Sequence, residues 1–216
     1  MDADRDRARA LQDEYERHGD PTGWFDALYR EAKDHPDLIP WARMAPRPEL
    51  EAWLAAARPD LRGRSCLVVG CGLGDDAELL ARAGGRVTAF DIAPAAIDWC
   101  RRRFPESPVS YQVADLLEPP ATWQGHFDVV LECNTLQTMR EEPQGRAVAS
   151  VAGFVAPGGR LLVVCRGREP DEPMGELPWP LTRSELDAFT QHGLVERSFA
   201  EMVTDGVRRF VVEYAK

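Results

Sequence analysis

The chain has 216 residues, 44% of them hydrophobic, which is enough for one domain with a proper core. A formal net charge of −10, with no basic run beyond Arg101-Arg102-Arg103, argues against the cationic footprint of a nucleic-acid binder. The five cysteines, Cys66, Cys71, Cys100, Cys133 and Cys165, form no CxxC pair, so neither a disulfide framework nor a zinc site is expected, and no metal.

The opening MDADRDRARA is charged throughout, unlike a signal peptide, and no apolar run is long enough to span a membrane. A cytoplasmic protein is expected, and the excess of arginine over lysine suits a GC-rich bacterial genome. Residues 4–18 form a charged helix with a thin apolar stripe at Leu11 and Tyr15. Asp20-Pro21-Thr22-Gly23 interrupts it, and a stronger amphipathic helix carries Trp24, Phe25, Leu28 and Tyr29 on one face. A proline-rich connection holding Trp41 leads to a helix through Leu50, Trp53 and Leu54. Residues 1–58 therefore read as an N-terminal helical cap. Trp53 is expected to cover the sheet edge, whereas Trp24, Tyr29 and Trp41 lie where a segment can close over a pocket.

Cys66 to Val69 is a short valine-rich run that stops at glycine, the mark of a strand buried on both faces. Gly70, Gly72 and Gly74 form a turn, Asp76 to Arg82 a helix, Gly84-Gly85 its end, and Arg86 to Phe90 a second strand finishing on Asp91. This strand, glycine turn, helix, strand and acid make a nucleoside-binding unit. The third glycine comes one residue earlier than in a dinucleotide fingerprint, and Asp75 and Asp76 at the helix start would repel phosphate. A cofactor without phosphate and with a cationic centre suits the turn better. Asp91 lies 91 − 70 = 21 residues after the first glycine, where a carboxylate accepts bonds from ribose hydroxyls.

The turn Gly70-Cys71-Gly72-Leu73-Gly74 with Asp91 resembles the first motifs of the class I S-adenosylmethionine-dependent methyltransferases, which commonly read GCGxG with an acid ending the second strand. The resemblance covers residues 64–165 well. It implies an α/β fold with a Rossmann-like, seven-stranded, mostly parallel sheet and a C-terminal antiparallel hairpin. It also implies S-adenosylmethionine as cofactor, bound by Gly70, Cys71, Gly72, Gly74, Asp91 and Ile92, with Asp91 on the ribose hydroxyls. Aromatic faces of the cap, from Trp24, Tyr29 and Trp41, would then lie near the sulfonium.

Pro94 to Phe104 is a helix and Val109 to Val113 the third strand, followed by Asp115-Leu116. The resemblance gives this acid the adenine amino group and its apolar neighbour the ring; a helix or turn cap is the plain alternative. His126 to Glu132 is the fourth strand. Its exit, Cys133-Asn134-Thr135-Leu136-Gln137, faces the crevice at the carboxyl ends of the strands, so Glu132, Asn134 and Gln137 are the polar candidates for catalysis. Glu132 is also counted with the cofactor. Ala147 to Val155 is a helix, Pro157-Gly158-Gly159 a turn that again resembles the family, and Arg160 to Cys165 the fifth strand.

Gly167 to Leu181, with four prolines, Met174 and Trp179, reads as a lid over the acceptor site. Thr182-Arg183-Ser184-Glu185 is a capping box that opens a short helix ended by Gly193. Leu194 to Val203 and Val207 to Tyr214 are strands joined at Asp205-Gly206. One domain accounts for residues 1–216, its core spanning 64–216 with the lid at 167–181.

Methyl transfer from a sulfonium is an in-line displacement that chiefly needs alignment and exclusion of water. His18, His35, His126 and His192 are scattered, so a small-molecule acceptor that needs little help from a base is expected, above all a thiol. O- or N-methylation of a small metabolite and non-catalytic binding of the cofactor remain as alternatives, while a nicotinamide oxidoreductase is disfavoured by the turn. The exit Glu132-Cys133-Asn134-Thr135 differs from the Asn-Pro-Pro-Tyr type of nucleic-acid and protein-glutamine enzymes. With its Trp-rich front the chain looks most like the thiopurine-methyltransferase-like small-molecule enzymes, acting as a monomer or homodimer away from nucleic acid and membranes.

Overall fold

A computed structural model describes residues 2–204 and 206–216. Three helices come first: α1 (Asp2–Arg17), α2 (Gly23–Ala32) and α3 (Pro48–Ala57). An alternating core follows as β1 (Ser65–Val69), α4 (Asp75–Arg82), β2 (Arg86–Asp91), α5 (Pro94–Arg103), β3 (Ser110–Val113), β4 (Phe127–Cys133), α6 (Glu141–Phe154) and β5 (Val155–Arg166). The chain closes with α7 (Arg183–Leu186), β6 (Val195–Thr204) and β7 (Val207–Ala215). The seven strands form one sheet in the order β3-β2-β1-β4-β5-β7-β6. Pairing is parallel from β3 through β5 and antiparallel for β5–β7 and β6–β7. The strand order reverses between β1 and β4, which opens a crevice at the carboxyl ends of the strands.

Burial explains the near-continuous apolar strands. Leu67, Val69, Val130 and Val163 pack on one face with Phe154 and Phe189, and Cys66, Val68, Leu131 and Val164 on the other with Leu50, Leu80 and Ile97. Trp53 belongs to this second core rather than to a sheet edge, and its indole donates to Glu213 of β7 at 3.0 Å. A third cluster joins the front segment to the body: Leu11, Trp24, Leu28 and Tyr29 pack against Leu73, Ala93, Ala96 and Trp99. The cap thus stands on the glycine turn and on α5. Among the described residues, no helix is long and apolar enough to cross a membrane.

Three local expectations need correction. Helix α6 starts at Glu141, six residues before Ala147, because Pro143 falls in its first turn, where a missing N–H costs nothing. Pro157-Gly158-Gly159 is a bulge inside β5 rather than a turn before it. Phe127 pairs with Val155 and Val129 with Arg160, so five steps on β5 oppose two on β4. The helix after the segment 167–181 is a single α-turn, α7, continued as a 3₁₀ segment over Asp187–His192 and closed by Gly193. Its capping box forms as read, with reciprocal bonds between Thr182 and Glu185. Of the hairpin turn, Asp205 lies outside the described residues.

The bulge leaves no space at Gly159. A Cβ there would lie 2.9 Å from the carbonyl oxygens of Ala156 and Phe127 and 3.1 Å from that of Asp128. Backbone oxygens cannot swing aside as a side chain can. Gly159→Ala is therefore expected to cost about 1–3 kcal/mol, read as a lowered Tm in thermal unfolding, whereas Ala at the open position Gly145 should cost much less.

Candidate functional site

The site is built at the carboxyl end of β1. Gly70, Gly72 and Gly74 all have positive φ, at 57°, 53° and 89°. Packing as well as backbone demands glycine at the ends of the turn. A Cβ on Gly70 would lie 2.2 Å from Thr135 Oγ1, and one on Gly74 would lie 2.6 Å from the Tyr111 hydroxyl. Between them the turn is tied to β2. Asp91 accepts from Gly72 N at 2.9 Å through Oδ2 and from Ala93 N at 3.0 Å through Oδ1, and Cys71 N donates to Phe90 O at 2.8 Å. Burial pushes the Asp91 carboxyl up to about 6, against the pull of these amides. Cys71 is half-buried beside Cys100, whose Sγ lies 3.1 Å from Gly72 O. The Cys100 thiol and burial raise Cys71, so it stays neutral.

Asp75 and Asp76, expected to repel phosphate from the helix start, are each paired. Asp75 binds Arg103 at 2.8 Å; Asp76 accepts from Arg47 N at 2.8 Å, with the Arg47 guanidinium 3.8 Å away. Their field at the turn is therefore weaker than the sequence alone implies. The Gly72 N–H, which a phosphate would use, already faces the Asp91 carboxylate.

Tyr29 and Trp41 reach this turn from the cap. The Trp41 indole donates to the Tyr29 hydroxyl at 2.8 Å, and that hydroxyl lies 3.4 Å from where a Cβ on Gly72 would sit. Burial and the nearby Asp91 raise the Tyr29 phenol, which remains protonated. Trp24, 1% exposed, supports the pair from the cap interior, edge-on to Trp41 with ring centroids 6.0 Å apart. On the other side, half-buried Ile92 follows Asp91. Asp115 accepts from Leu117 N at 2.8 Å, and Leu116 is buried in the core on the Phe90 face.

The exit of β4 differs from its expected form. Glu132 is fully buried; Oε1 accepts from Leu136 N at 2.9 Å and Oε2 has no partner. Gln137 is also fully buried, and its amide is consumed within the protein. Nε2 donates to Arg166 O at 3.0 Å and to Trp179 O at 2.7 Å, while Oε1 accepts from Arg166 N at 2.7 Å. Neither side chain faces an open crevice. Asn134 is half-buried at φ 60°, a left-handed conformation that asparagine tolerates. With its amide oriented to satisfy its neighbours, it donates to Gln137 Oε1 at 2.9 Å and accepts from the Arg47 guanidinium at 2.9 and 3.2 Å.

Arg47 and Thr135 were not singled out by sequence. Arg47 precedes α3 yet bridges α4 and the β4 exit, a contact over 134 − 47 = 87 positions that no local pattern announces. Thr135 packs on Gly70 and donates to Val69 O at 3.2 Å, closing the crevice between β1 and β4.

The segment 167–181 leaves β5 and returns beside it. Arg168 N donates to Leu181 O, Leu181 N to Arg166 O, and Trp179 N to Gln137 O, each at 2.9 Å. Two cavities flank this segment. One of about 400 Å³ is lined by Arg5, Arg166, Leu177, Pro180, Val207 and Arg208, among others. Another of about 240 Å³ lies by Met139, Met174 and Trp179, where Arg140 stacks 5.3 Å from the Trp179 ring.

Comparisons with known proteins agree with this architecture. Residues 66–159 match the model of a methyltransferase domain. A ubiquinone biosynthesis O-methyltransferase of Xanthomonas oryzae is 35% identical over 118 residues, 53% of this chain and 48% of its own. A cypemycin N-terminal methyltransferase of Streptomyces is 29% identical over 161 residues, 72% of this chain and 64% of its own. The chain thus spans about half the length of the curated O-methyltransferases it matches. A chain solved in work on the conversion of a disulfide bond into a thioacetal group during echinomycin biosynthesis superposes with a TM-score of 0.73 at 25% identity, covering 90% of this chain and 92% of that one. The N-methyltransferase NodS of Bradyrhizobium japonicum, bound to S-adenosylhomocysteine, shares the fold at a TM-score of 0.66 and 21% identity, over 88% and 96% of the two chains. Sheet order, glycine turn and these matches define a Rossmann-like methyltransferase domain. Over residues 66–159 the chain carries a methyltransferase domain, and in sequence and fold it is similar to S-adenosylmethionine-dependent methyltransferases.

Glu132 offers a test of the burial just described. Burial pushes its carboxyl up to about 7 from an ordinary 4.5. The folded state then takes up a proton that the unfolded chain has lost, so stability declines as pH rises from 4.5 to 7. Removing the charge should stabilise the protein by up to about 3 kcal/mol near pH ~8. Denaturant unfolding of Glu132→Gln and the parent chain should show this advantage shrink toward nothing as pH falls through the window.

Proposed function

We propose that the chain transfers a methyl group from S-adenosylmethionine to a small-molecule acceptor, with a thiol as the acceptor atom. The observation that carries the first half is the buried Asp91 carboxylate bound to Gly72 N beneath Tyr29 and Trp41. A buried carboxylate with spare lone pairs at the end of β2 suits a ribose diol, and a turn with no room for Cβ at Gly70 and Gly74 suits a ligand lying against bare backbone. The sulfonium supplies an activated methyl carbon, whose bond to sulfur breaks as the acceptor attacks.

In this reading Asp91 accepts both ribose hydroxyls, with Gly70, Cys71, Gly72, Gly74 and Ile92 around it, and Asp115 and Leu116 hold the adenine. Tyr29 and Trp41, braced by Trp24, exclude water and present aromatic faces to the cationic centre. Glu132 acts as a buried support for the turn at Leu136, so its contribution is to position the β4 exit. Asn134 lines the path of the acceptor, held by Arg47, and Gln137 fixes the lid to the strand ends. Residues 167–181 serve as the lid of a single domain over residues 1–216.

The thiol is supported by the polar groups at the β4 exit. Glu132 and Gln137 are committed to protein partners, which leaves alignment as the enzyme's main task. A thiol with pKa near about 8.5 is partly ionised at neutral pH and needs no strong base. On attack, the acceptor sulfur forms the new S–C bond, the electron pair of the broken bond stays on the cofactor sulfur, and the thiol proton leaves to water. The sulfur chemistry named for the structural relative from echinomycin biosynthesis supports the same choice. The O- and N-methyltransferases among the relatives favour oxygen or nitrogen as the second reading.

Two measurements test these halves. Calorimetric titration with S-adenosylhomocysteine should give binding that Asp91→Ala weakens by roughly ten- to a hundredfold, the usual worth of a charge-assisted hydrogen bond. Because the Asp91 carboxyl titrates at about 6, affinity should fall as pH drops through that value, and Asp91→Asn should flatten the dependence. For the acceptor, thiols, phenols, amines and carboxylic acids are compared by S-adenosylhomocysteine release. Thiols should turn over fastest, and Asn134→Ala should slow them without abolishing turnover; turnover of amines or carboxylic acids alone would overturn the thiol assignment.

A further inference from the structure

We infer that the larger cleft beside the lid binds an oxyanion carried by the acceptor, gripped by Arg166 with help from Arg5. This deepens the methyltransferase reading and rests on it for the word acceptor. The charges around the cleft decide the matter. Arg208 is bridged to Glu169, Glu172 and Glu201 at 3.1–3.2 Å, and Glu176 is paired with Arg9. Arg209, behind the cleft, lies 3.1 Å from Glu49. Among the described residues, no carboxylate pairs with Arg166 or Arg5, although both line the cleft. Yet the chain carries 36 acidic residues against 26 Lys and Arg, so partners were not in short supply.

Arg166 is half-buried, and its guanidinium makes a single long bond, Nη1 to Pro178 O at 3.4 Å. Burial and the facing charges of Arg5 and Arg209 pull its pKa down, the mark of a cation held among like charges. Such an arrangement is costly when empty and is repaid by an anion. The planar guanidinium fork suits a carboxylate or phosphate, which it can bind through two parallel bonds. A volume of about 400 Å³ is that of a small-ligand pocket.

Position links this anchor to the reacting centre. Arg166 is the last residue of β5, and its backbone is held on both sides by Gln137 from the β4 exit. Counting β1, β4 and β5, it stands two strand spacings, about 10 Å, from the tip that carries the glycine turn. An acceptor can therefore rest its oxyanion on Arg166 while its nucleophile reaches across β4. The preferred acceptor is an anionic thiol, with carboxylate and phosphate as the candidate headgroups.

The test uses non-reacting probes, benzoate, phenyl phosphate and neutral benzamide, titrated into the full chain with and without saturating S-adenosylhomocysteine. At millimolar concentrations benzoate or phenyl phosphate should bind and benzamide should not, with an affinity that falls as salt is raised. The tighter of the two anions names the headgroup. Arg166→Gln should weaken the anion roughly tenfold or more while leaving S-adenosylhomocysteine affinity unchanged. Arg5→Gln, at an exposed position on α1 that the core does not need, should weaken it by a smaller factor. Equal binding of benzamide and the tighter anion, binding of neither anion, or anion affinity untouched by both variants overturns the inference. Failure to bind S-adenosylhomocysteine would overturn the methyltransferase reading instead, because the anion titration without it reads the cleft by itself.

Discussion

The structure depends on one short contact, the carboxylate of Asp91 against the amide of Gly72. It joins the second strand to the turn after the first, so the crevice at the top of the sheet is shaped by a bond between two neighbouring strands. Everything above it takes position from that bond. Tyr29 comes down on Gly72 because glycine leaves space there, Trp41 is placed by the Tyr29 hydroxyl, and Trp24 is packed to hold Trp41. The contact also has a cost. An acid pushed up to about 6 by its surroundings is less stable ionised than it would be in water. A site that stores such a penalty gains when a ligand supplies donors to the free lone pairs.

A second organising group is Gln137, whose single amide serves three backbone partners. It draws together the exit of β4, the end of β5 and the returning segment at Trp179. With Asn134 and Arg47 the network continues to Asp76 at the start of α4. Front segment, first crossover helix, middle strands and the segment 167–181 are thus connected by polar contacts beside the crevice, while apolar cores fill the space between the layers. Buried networks of this kind specify one arrangement because any missing member leaves another unsatisfied.

Most of the sheet could be read from residues alone. The largely apolar runs ending at Val69, Asp91 and Cys133 are strands because both faces are covered, and their composition reports that directly. The beginnings of α6 and β5 were hidden by the same residues that usually punctuate a chain. Pro143 sits where a helix tolerates it, and Pro157-Gly158-Gly159 bends a strand without ending it. The site was legible in part, and for a definable reason. Gly70, Gly72, Gly74 and Asp91 carry a local pattern, so they announce themselves. Arg47, Thr135 and Arg166 acquire meaning only when distant segments meet. The burial of Glu132 and Gln137 depends on how the β4 exit folds back, which polarity at a strand end does not reveal.

The segment 167–181 is fastened at its base by four backbone hydrogen bonds, two between its own ends, one to Gln137 and one from Gly167 to Arg208 of β7. Its middle, from about residue 169 to 176, is held by exposed ion pairs, Glu169 and Glu172 with Arg208 and Glu176 with Arg9. In chain-statistical terms it is a closed loop whose ends are held regardless of what lies between, and lengthening such a loop costs little, growing only with the logarithm of its size. Changes of length or sequence at the tip can therefore be absorbed without shifting the register of β5 on β7 or disturbing the turn under Tyr29. The fold separates a region that must stay constant from one that is free to drift, and places the boundary at Arg166. Sequence drift at the tip and constancy of the sheet are thus compatible within one chain.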